Sequence, residues 1–252
     1  MQFRSLIFLL GLLISFPANS ETGKLEDVLE RIIVAYGGEK NLRRLDAVVQ
    51  EWSLLALRGN RQGIDKRSIQ MPDRLKVELT YTDKQETRLL NGDAGLVIFG
   101  NRPPEPANDM QRDAMRLQLM RLYSPLALRE RIDSLQVDEH DDELRLMLTE
   151  GSLKTNYFVN PENWRIEKVM GTLSVSGAEM NFVTEYSDFS MIEGVLVHHR
   201  ENKYAGNVNT AVLKLQRIEF DVTFEDKDFQ APEESDESVI ASIAIRSSYA
   251  RE

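Results

Sequence analysis

From residue 47 onward, much of the chain alternates apolar and polar residues with a period of two. The run RLKVELTY puts Leu75, Val77 and Leu79 on one face and polar residues on the other, because successive side chains of a strand point to opposite faces. The same alternation returns in ELRLMLT and EMNFVTEY. One buried and one wet face predict a largely antiparallel β-sheet.

Turn sequences separate these runs at short intervals, and strands joined by tight turns are antiparallel neighbours. We count roughly ten strands, enough for a twisted sheet to curl strongly. In the last long strand the apolar set changes phase between Leu215 and Ile218, which predicts a β-bulge near Gln216. The turns are Pro72-Asp73, Asn91-Gly92, His140-Asp141-Asp142, residues 160–163, Ser176-Gly177 and residues 205–207.

Two segments carry helical spacing instead. Residues 25–36, LEDVLERIIVAY, repeat apolar residues every three or four positions and stop at Gly37-Gly38. Residues 110–131 form a second, methionine-rich stripe, in which Pro125 is expected to kink or divide the helix. The fold class is therefore α+β, with both helices in the concave face of one curved antiparallel sheet.

The first twenty residues read as a cleaved signal peptide. A single charge at Arg4 precedes an apolar run that is too short to cross a bilayer, and Pro17 and small residues follow before Glu21. We expect cleavage after Ser20, no transmembrane segment in the mature chain, and one domain over residues 21–252 with a frayed C-terminal tail after the acidic run that follows Pro232.

Charge and cysteine content exclude several classes of function. The formal charge is −10, which disfavours nucleic acid and electrostatic docking on anionic membranes. No cysteine is present, so the chain has neither a disulfide nor a lipid-attachment cysteine, and its stability depends on burial.

The paired histidines His198 and His199 raise the question of a metal site. Adjacent residues of a strand point to opposite faces, so the pair cannot hold one ion together, and the sequence has no metal-type spacing. We interpret them as one inward and one half-exposed polar residue. The acidic stretch DEHDDE around His140 is interpreted as a solvated hairpin tip, with a hard cation at Asp141 and Asp142 as the alternative.

Catalytic motifs are equally scarce. The chain has no Gly-x-Ser-x-Gly, no phosphate-binding glycine loop and only three histidines. We therefore predict a protein that is not an enzyme and that uses neither a cofactor nor a metal. A hydrolase built on carboxylates that meet only in space stays a minor alternative.

Large apolar residues recur along the strands and the central helix, where methionines adapt to irregular partners. One interpretation is a well-filled core. The other is an incompletely filled core, a lidded cavity for an acyl chain or a similar ligand. The candidate cavity and lid residues are Trp52, Leu75, Val77, Leu79, Phe99, Met110, Met115, Leu119, Met120, Phe158, Trp164 and Phe182.

Three motifs in order carry a family resemblance. AYGGEKNLRRLDAVVQEWSLLALRGN (residues 35–60), YSDFSMIEGVLVHHRENKY (residues 186–204) and the terminal FQAP resemble the LolA-like superfamily of periplasmic lipoprotein-sorting and lipid-binding proteins. The resemblance implies an unclosed half-barrel whose helices act as a lid. Where the family often has a proline after the Gly194 turn, this chain has His198, so the histidines occupy a structural strand position.

The resemblance also implies a function. It predicts a soluble periplasmic carrier that holds the acyl chains of a lipid or lipid-modified protein in a hydrophobic cavity, in outer-membrane lipoprotein or lipid transport, with a membrane-bound donor or acceptor protein as a further partner. The alternative is a protein-interaction or sensing module without a lipid. The family's important arginine has three candidate counterparts, Arg58, Arg74 and Arg88, and the motifs do not choose among them.

Overall fold

The computed structural model describes residues 20–140, 143–175 and 177–232. The predicted signal peptide, Asp141 and Asp142 of the hairpin tip, and the acidic run with the rest of the C-terminal tail lie outside the described residues.

The described residues form thirteen antiparallel strands in one sheet that is not closed into a barrel. This confirms the predicted α+β class and exceeds the strand count expected from the sequence. The count from the sequence was lower because several hairpins are too short to show a clear alternation of apolar and polar residues. The strands are β1 (Ala47–Ala56), β2 (Arg61–Gln70), β3 (Arg74–Tyr81), β4 (Gln85–Asn91), β5 (Ala94–Phe99), β6 (Glu105–Pro106), β7 (Leu135–His140), β8 (Glu143–Glu150), β9 (Leu153–Asn160), β10 (Arg165–Val175), β11 (Ala178–Ile192), β12 (Val195–Ala205) and β13 (Val208–Glu219).

The strand order shows two meanders joined in the middle. Strands β1 to β6 follow one another in one half of the sheet, β7 to β13 follow one another in the other half, and β1 pairs with β13 at the join. The register at the join shifts between Glu51–Arg217 and Trp52–Leu215, which leaves Gln216 unpaired in the ladder. The bulge predicted at Gln216 is confirmed.

In the described ranges four α-helices accompany the sheet: α1 (Ser20–Ala35), α2 (Glu39–Leu42), α3 (Asp109–Met120) and α4 (Pro125–Arg129). Both predicted helical segments are confirmed, and the second is divided at Pro125. Asn108 and Gln111 form a capping box at the start of α3, and the Ser124 side chain caps α4, in which Pro125 takes the first position. None of the helices in the described part of the chain is long and apolar enough to cross a membrane.

Helix α1 docks through the face that its spacing predicts, since Leu25, Leu29, Ile32 and Ile33 are buried. Its C-terminal end touches β12, where the Leu196 amide donates to the Tyr36 carbonyl at 3.1 Å. Gly37 makes this contact possible: it has a φ of 110°, and a Cβ there would lie 2.0 Å from the Gly194 carbonyl oxygen.

The chain between β6 and β7 crosses the sheet because those strands are its two opposite edges. Helix α3 lies on this path and contacts both halves, from β3, β4 and β5 to β9 and β10. Two glycines of the sheet allow α3 to pack closely against it. A Cβ on Gly95 would lie 2.9 Å from Arg112 Cγ, and a Cβ on Gly171 would lie 2.8 Å from Leu117 Cγ.

Replacing Gly171 with valine should therefore push α3 away from β10. We expect Gly171→Val to lower the free energy of unfolding by about 1 to 3 kcal/mol, as for other overpacked core sites, measured by urea unfolding. Ser174→Val is the matched control, because Ser174 lies on the same strand with an exposed side chain, and should change stability by less than about 0.5 kcal/mol. Equal midpoints for the two variants would contradict close packing at Gly171.

Candidate ligand-binding site

A cavity of about 100 Å³ lies between the concave face of the sheet and the chain that follows α3. Its floor consists of side chains from seven strands on either side of the β1–β13 join and is mostly aliphatic and aromatic. These floor residues are Val48, Gln50, Ile69, Tyr157, Ile166, Val169, Tyr186, Leu196, Val197, His198 and Ile218.

The cover of the cavity comes from outside the sheet. It includes the link between α3 and α4 and the residues that follow α1 and β2. These cover residues are Tyr36, Leu45, Met71, Arg121, Leu122, Tyr123, Ser124 and Pro125. The space is therefore mainly apolar, with Gln50, Arg121, Ser124 and His198 as its more polar members.

The volume sets a limit on what fits without a structural change. Small-molecule sites usually measure about 300 to 1,000 Å³, whereas an apolar cavity of about 150 Å³ holds a molecule the size of benzene. The 100 Å³ cavity has room for a short fragment of an acyl chain. A longer chain requires the α3–α4 segment to move away from the sheet.

Two sheet tyrosines hold that segment. The Tyr157 hydroxyl donates to the Met120 carbonyl, and the Tyr186 hydroxyl donates to the Arg121 carbonyl at 3.1 Å. Carbonyls at the C-terminal end of a helix have no partner within the helix, so these hydroxyls satisfy them. Burial raises the pKa of both tyrosines, so both stay protonated donors.

Beside the cavity, the concave face carries a buried ion network. The Arg67 guanidinium donates to Glu201 at 2.8 and 2.9 Å and to Asp65 Oδ2 at 2.8 Å. The Lys203 ammonium lies 3.4 Å from Glu201 and 3.8 Å from Asp65. Asp65, Arg67 and Glu201 are at most 4% exposed at their side chains, so the network lies inside the fold.

The network fixes the ionisation of its members. Burial alone would raise the pKa of the Glu201 carboxyl, but the charges of Arg67 and Lys203 and the hydrogen bonds from Arg67 and His198 hold it well below its usual value. Burial alone would lower the pKa of Arg67, but Asp65 and Glu201 raise it well above. Glu201 and Arg67 are thus both charged over the physiological pH range.

His198 joins the network to the cavity. Its ring stacks on Trp52 at 5.4 Å and lies 4.1 Å from the Tyr186 ring, and its Nε2 is 3.2 Å from Glu201 Oε1. His199 instead contacts the Ser190 hydroxyl at 2.7 Å and does not line the cavity. Within residues 20–140, 143–175 and 177–232, no three potential metal ligands come together.

Solved structures with the same architecture exist. A LolA superfamily protein from Nitrosomonas europaea superposes with a TM-score of 0.51 at 17% sequence identity, covering 81% of this chain and 96% of that one. The chain has the LolA-like fold. A domain named for outer membrane lipoprotein sorting, from Vibrio parahaemolyticus, superposes with a TM-score of 0.50 at 11% identity, covering 83% of this chain and 97% of that one. No protein-family model matches the sequence, and no curated protein matches it.

Within this LolA-like fold, the twelve residues predicted to line a cavity and lid lie around the 100 Å³ space rather than at its wall. Leu119 and Met120 instead border a more open cleft of about 520 Å³. Phe158 lies under Lys168, whose Nζ is 3.7 Å from the ring centroid, and Met110 is half-exposed. The core residues are Trp52, Leu75, Val77, Met115, Leu119 and Met120, and those packed at its margin are Leu79, Phe99, Trp164 and Phe182. Their contact with a ligand stays a prediction.

Sequence reasoning missed the ion network, and none of its twelve candidate residues lines the cavity. Of the three arginines considered, Arg58 is exposed, Arg74 pairs with Asp226 and Arg88 pairs with Glu86. The fully buried arginine is Arg67. A signal was present, because β2 places Asp65 and Arg67 at inward positions. Three of the four residues paired with them on β1 and β3 are apolar, namely Trp52, Leu79 and Val77, and the fourth is Gln50.

Removing the Glu201 charge should leave Arg67 inadequately paired in the core. We expect Glu201→Gln to lower the free energy of unfolding at neutral pH by about 3 to 5 kcal/mol, measured by urea unfolding. The control is Glu219→Gln, which breaks the exposed Arg217–Glu219 pair and should cost less than about 1 kcal/mol.

The same variant predicts a change in acid sensitivity. Consider a carboxyl group whose pKa is lower in the folded protein than in the unfolded chain, where it is about 4.3 for Glu. Such a group stabilises the folded protein fully above the unfolded pKa, and this stabilisation decreases as the pH falls toward the folded pKa. Stability of the unaltered protein should fall between about pH 5 and pH 3, and this fall should be smaller in Glu201→Gln. Equal losses in the two proteins would contradict the depressed pKa of Glu201.

Proposed function

We propose that this protein is a non-enzymatic carrier that binds the acyl chain of a lipid or lipid-modified protein between its concave sheet and the α3–α4 segment. The observation that carries the proposal is the apolar cavity under a chain segment that the sheet topology forces across the concave face. We further propose that it acts in the periplasm, after removal of the signal peptide from a single mature domain, in lipoprotein or lipid transport to the outer membrane.

The LolA-like fold supports this proposal. One of the similar solved structures is named for outer membrane lipoprotein sorting, and a half-barrel with a helical cover is a suitable scaffold for an apolar ligand. That name assigns lipoproteins to the Vibrio protein, and the proposal extends the same class of ligand to this chain. A membrane-bound protein that delivers or receives the ligand would complete the transport step.

Hydrophobic burial alone is sufficient for tight binding. Each buried methylene contributes about 0.8 kcal/mol, so a dozen contribute on the order of 10 kcal/mol before association costs. Part of that free energy is needed to displace α3 and α4, since the closed cavity is small. Release then follows when the helices close again or a tighter acceptor takes the ligand.

A second candidate function is an interaction module without a lipid. The observation that favours it is an apolar surface at the tips of β10 to β13, where Met180 and Val208 are 41% and 67% exposed. This surface borders a hollow of about 330 Å³ that also includes Val175 and Ala178. A protein partner would then cover these strand tips while the concave cavity stayed closed.

Extraction of the purified mature protein separates the two functions. Organic solvent should release a lipid in about equimolar amount, identified by mass spectrometry of the extract. A lipid-free extract together with failure to bind added dodecanoate, dodecanol or a synthetic diacylated lipopeptide would contradict the carrier and favour the module.

A cavity-filling variant tests the location of the ligand. Val169 lines the cavity, and Val169→Phe should lower the affinity for dodecanol at least about tenfold, equivalent to roughly two methylenes of lost burial. Val175→Phe is the matched control on the same strand, because Val175 does not line this cavity, and should bind as the unaltered protein does. Titration calorimetry measures both, and equal affinities would place the ligand elsewhere.

A further inference from the structure

We propose that the ligand carries an acidic group, a carboxylate or a phosphate, and that this group binds Arg121 and Lys203 beside the apolar cavity. The inference rests on the proposed function and narrows it to anionic amphiphiles, molecules with one apolar chain and one acidic end.

The first support is a charge imbalance inside the fold. The cluster contains the buried residues Asp65, Arg67 and Glu201 and two part-buried cations, Lys203 and Arg121, which makes three cations and two carboxylates. Arg67 binds both carboxylates, and Lys203 lies within 4 Å of both. The two acids are thereby shared between two cations, and the three cations exceed the two carboxylates by one positive charge.

Arg121 is the cation of the cluster that has no acidic partner. No salt bridge joins it to an acid anywhere in the described ranges, its Nη1 donates only to the Thr184 hydroxyl at 3.3 Å, and its buried Nε has no hydrogen-bond partner. A buried guanidinium without an anion is costly. Burial lowers the pKa of Arg121 and also that of Lys203, where the Arg67 charge adds to the effect, as expected where positive charge is in excess.

The position of Arg121 is fixed by the fold. Its Cδ lies against Gly171, where an added Cβ would be 3.0 Å away, and its carbonyl accepts from Tyr186. The side chain is therefore held over β10 and β11, with its Nε buried. A larger residue at position 171 would exclude the side chain from this place.

The cationic cluster and the apolar cavity adjoin. Arg121, Leu122 and Tyr186 line the 100 Å³ cavity and also a void of about 10 Å³ that includes Arg67, Lys203 and Glu201. One molecule can therefore place a chain among the cavity's apolar side chains and an acidic end at the unpaired Nε. The net positive charge disfavours a metal cation in the same void.

The test compares ligands that have the same twelve-carbon chain length and differ in the end group, which is ionised in one and neutral in the other. Dodecanoate and dodecanol are titrated into the mature protein at pH 8, where the carboxylate is ionised. A charge-assisted hydrogen bond to the buried guanidinium should make dodecanoate bind about tenfold or more tightly than dodecanol. Dodecyl phosphate should share this preference, while acetate and inorganic phosphate, which have no apolar chain, should not bind measurably at millimolar concentration.

Variants assign the preference to Arg121. In Arg121→Met the affinity for dodecanoate should fall to that of the same variant for dodecanol, so that the ratio of the two affinities becomes about one. Arg116→Met is the control, because Arg116 lies on α3, the helix that ends just before Arg121, and pairs with the exposed Asp93 instead. It should keep the preference. Urea unfolding shows whether Arg121→Met folds. If this variant does not fold, the ratio of the dodecanoate and dodecanol affinities of the unaltered protein tests the proposal.

The outcomes separate this inference from the proposed function. Equal affinities of the unaltered protein for dodecanoate and dodecanol, or a preference that survives Arg121→Met, would overturn the acidic-group site and leave the apolar carrier intact. Binding of free acetate or phosphate as tight as that of dodecanoate would point to an ion site that needs no chain and would also overturn it. Absence of binding by all probes would overturn the carrier function itself.

Discussion

The pairing of β1 with β13 determines the arrangement of the whole molecule. Because strands from the two ends of the described chain meet in the middle of the sheet, β6 and β7 become the opposite edges, and the chain between them must cross the sheet. That crossing segment forms α3 and α4 over the concave face. The cover is thus a product of strand order, and Gly95 and Gly171 let it approach both halves of the sheet closely.

The space under the cover has two chemically different parts. One is the apolar cavity, and the other is the ion network around Arg67, with His198 in contact with both. A buried ion network often contributes no more to stability than well-packed apolar residues of the same volume, so stability alone does not account for its presence beside the cavity. The tyrosine bonds to the end of α3 add directional contacts that a moving cover must break.

The sequence predicted the class of fold, both helical segments, the division at Pro125 and the bulge at Gln216, because these depend on local periodicity and turn chemistry. It did not predict Arg67, Glu201 and Lys203 as one cluster, since β2 and β12 are separated by β1 and β13 and their register is set by tertiary pairing. The cavity wall was missed for the same reason: Val169, Leu196 and Ile218 look like ordinary strand residues until the cover is in place.

The central claim is that a ligand occupies space that opens when α3 and α4 leave the sheet. The chain has no cysteine, so Ala114→Cys on α3 and Ser174→Cys on β10, both exposed positions, can each carry a spin label without background labelling. Electron–electron double resonance then measures the distance between the two labels across the sheet, with and without dodecanoate. The account predicts a longer distance when the ligand is bound at about one molecule per chain, and an unchanged distance at that occupancy would contradict it.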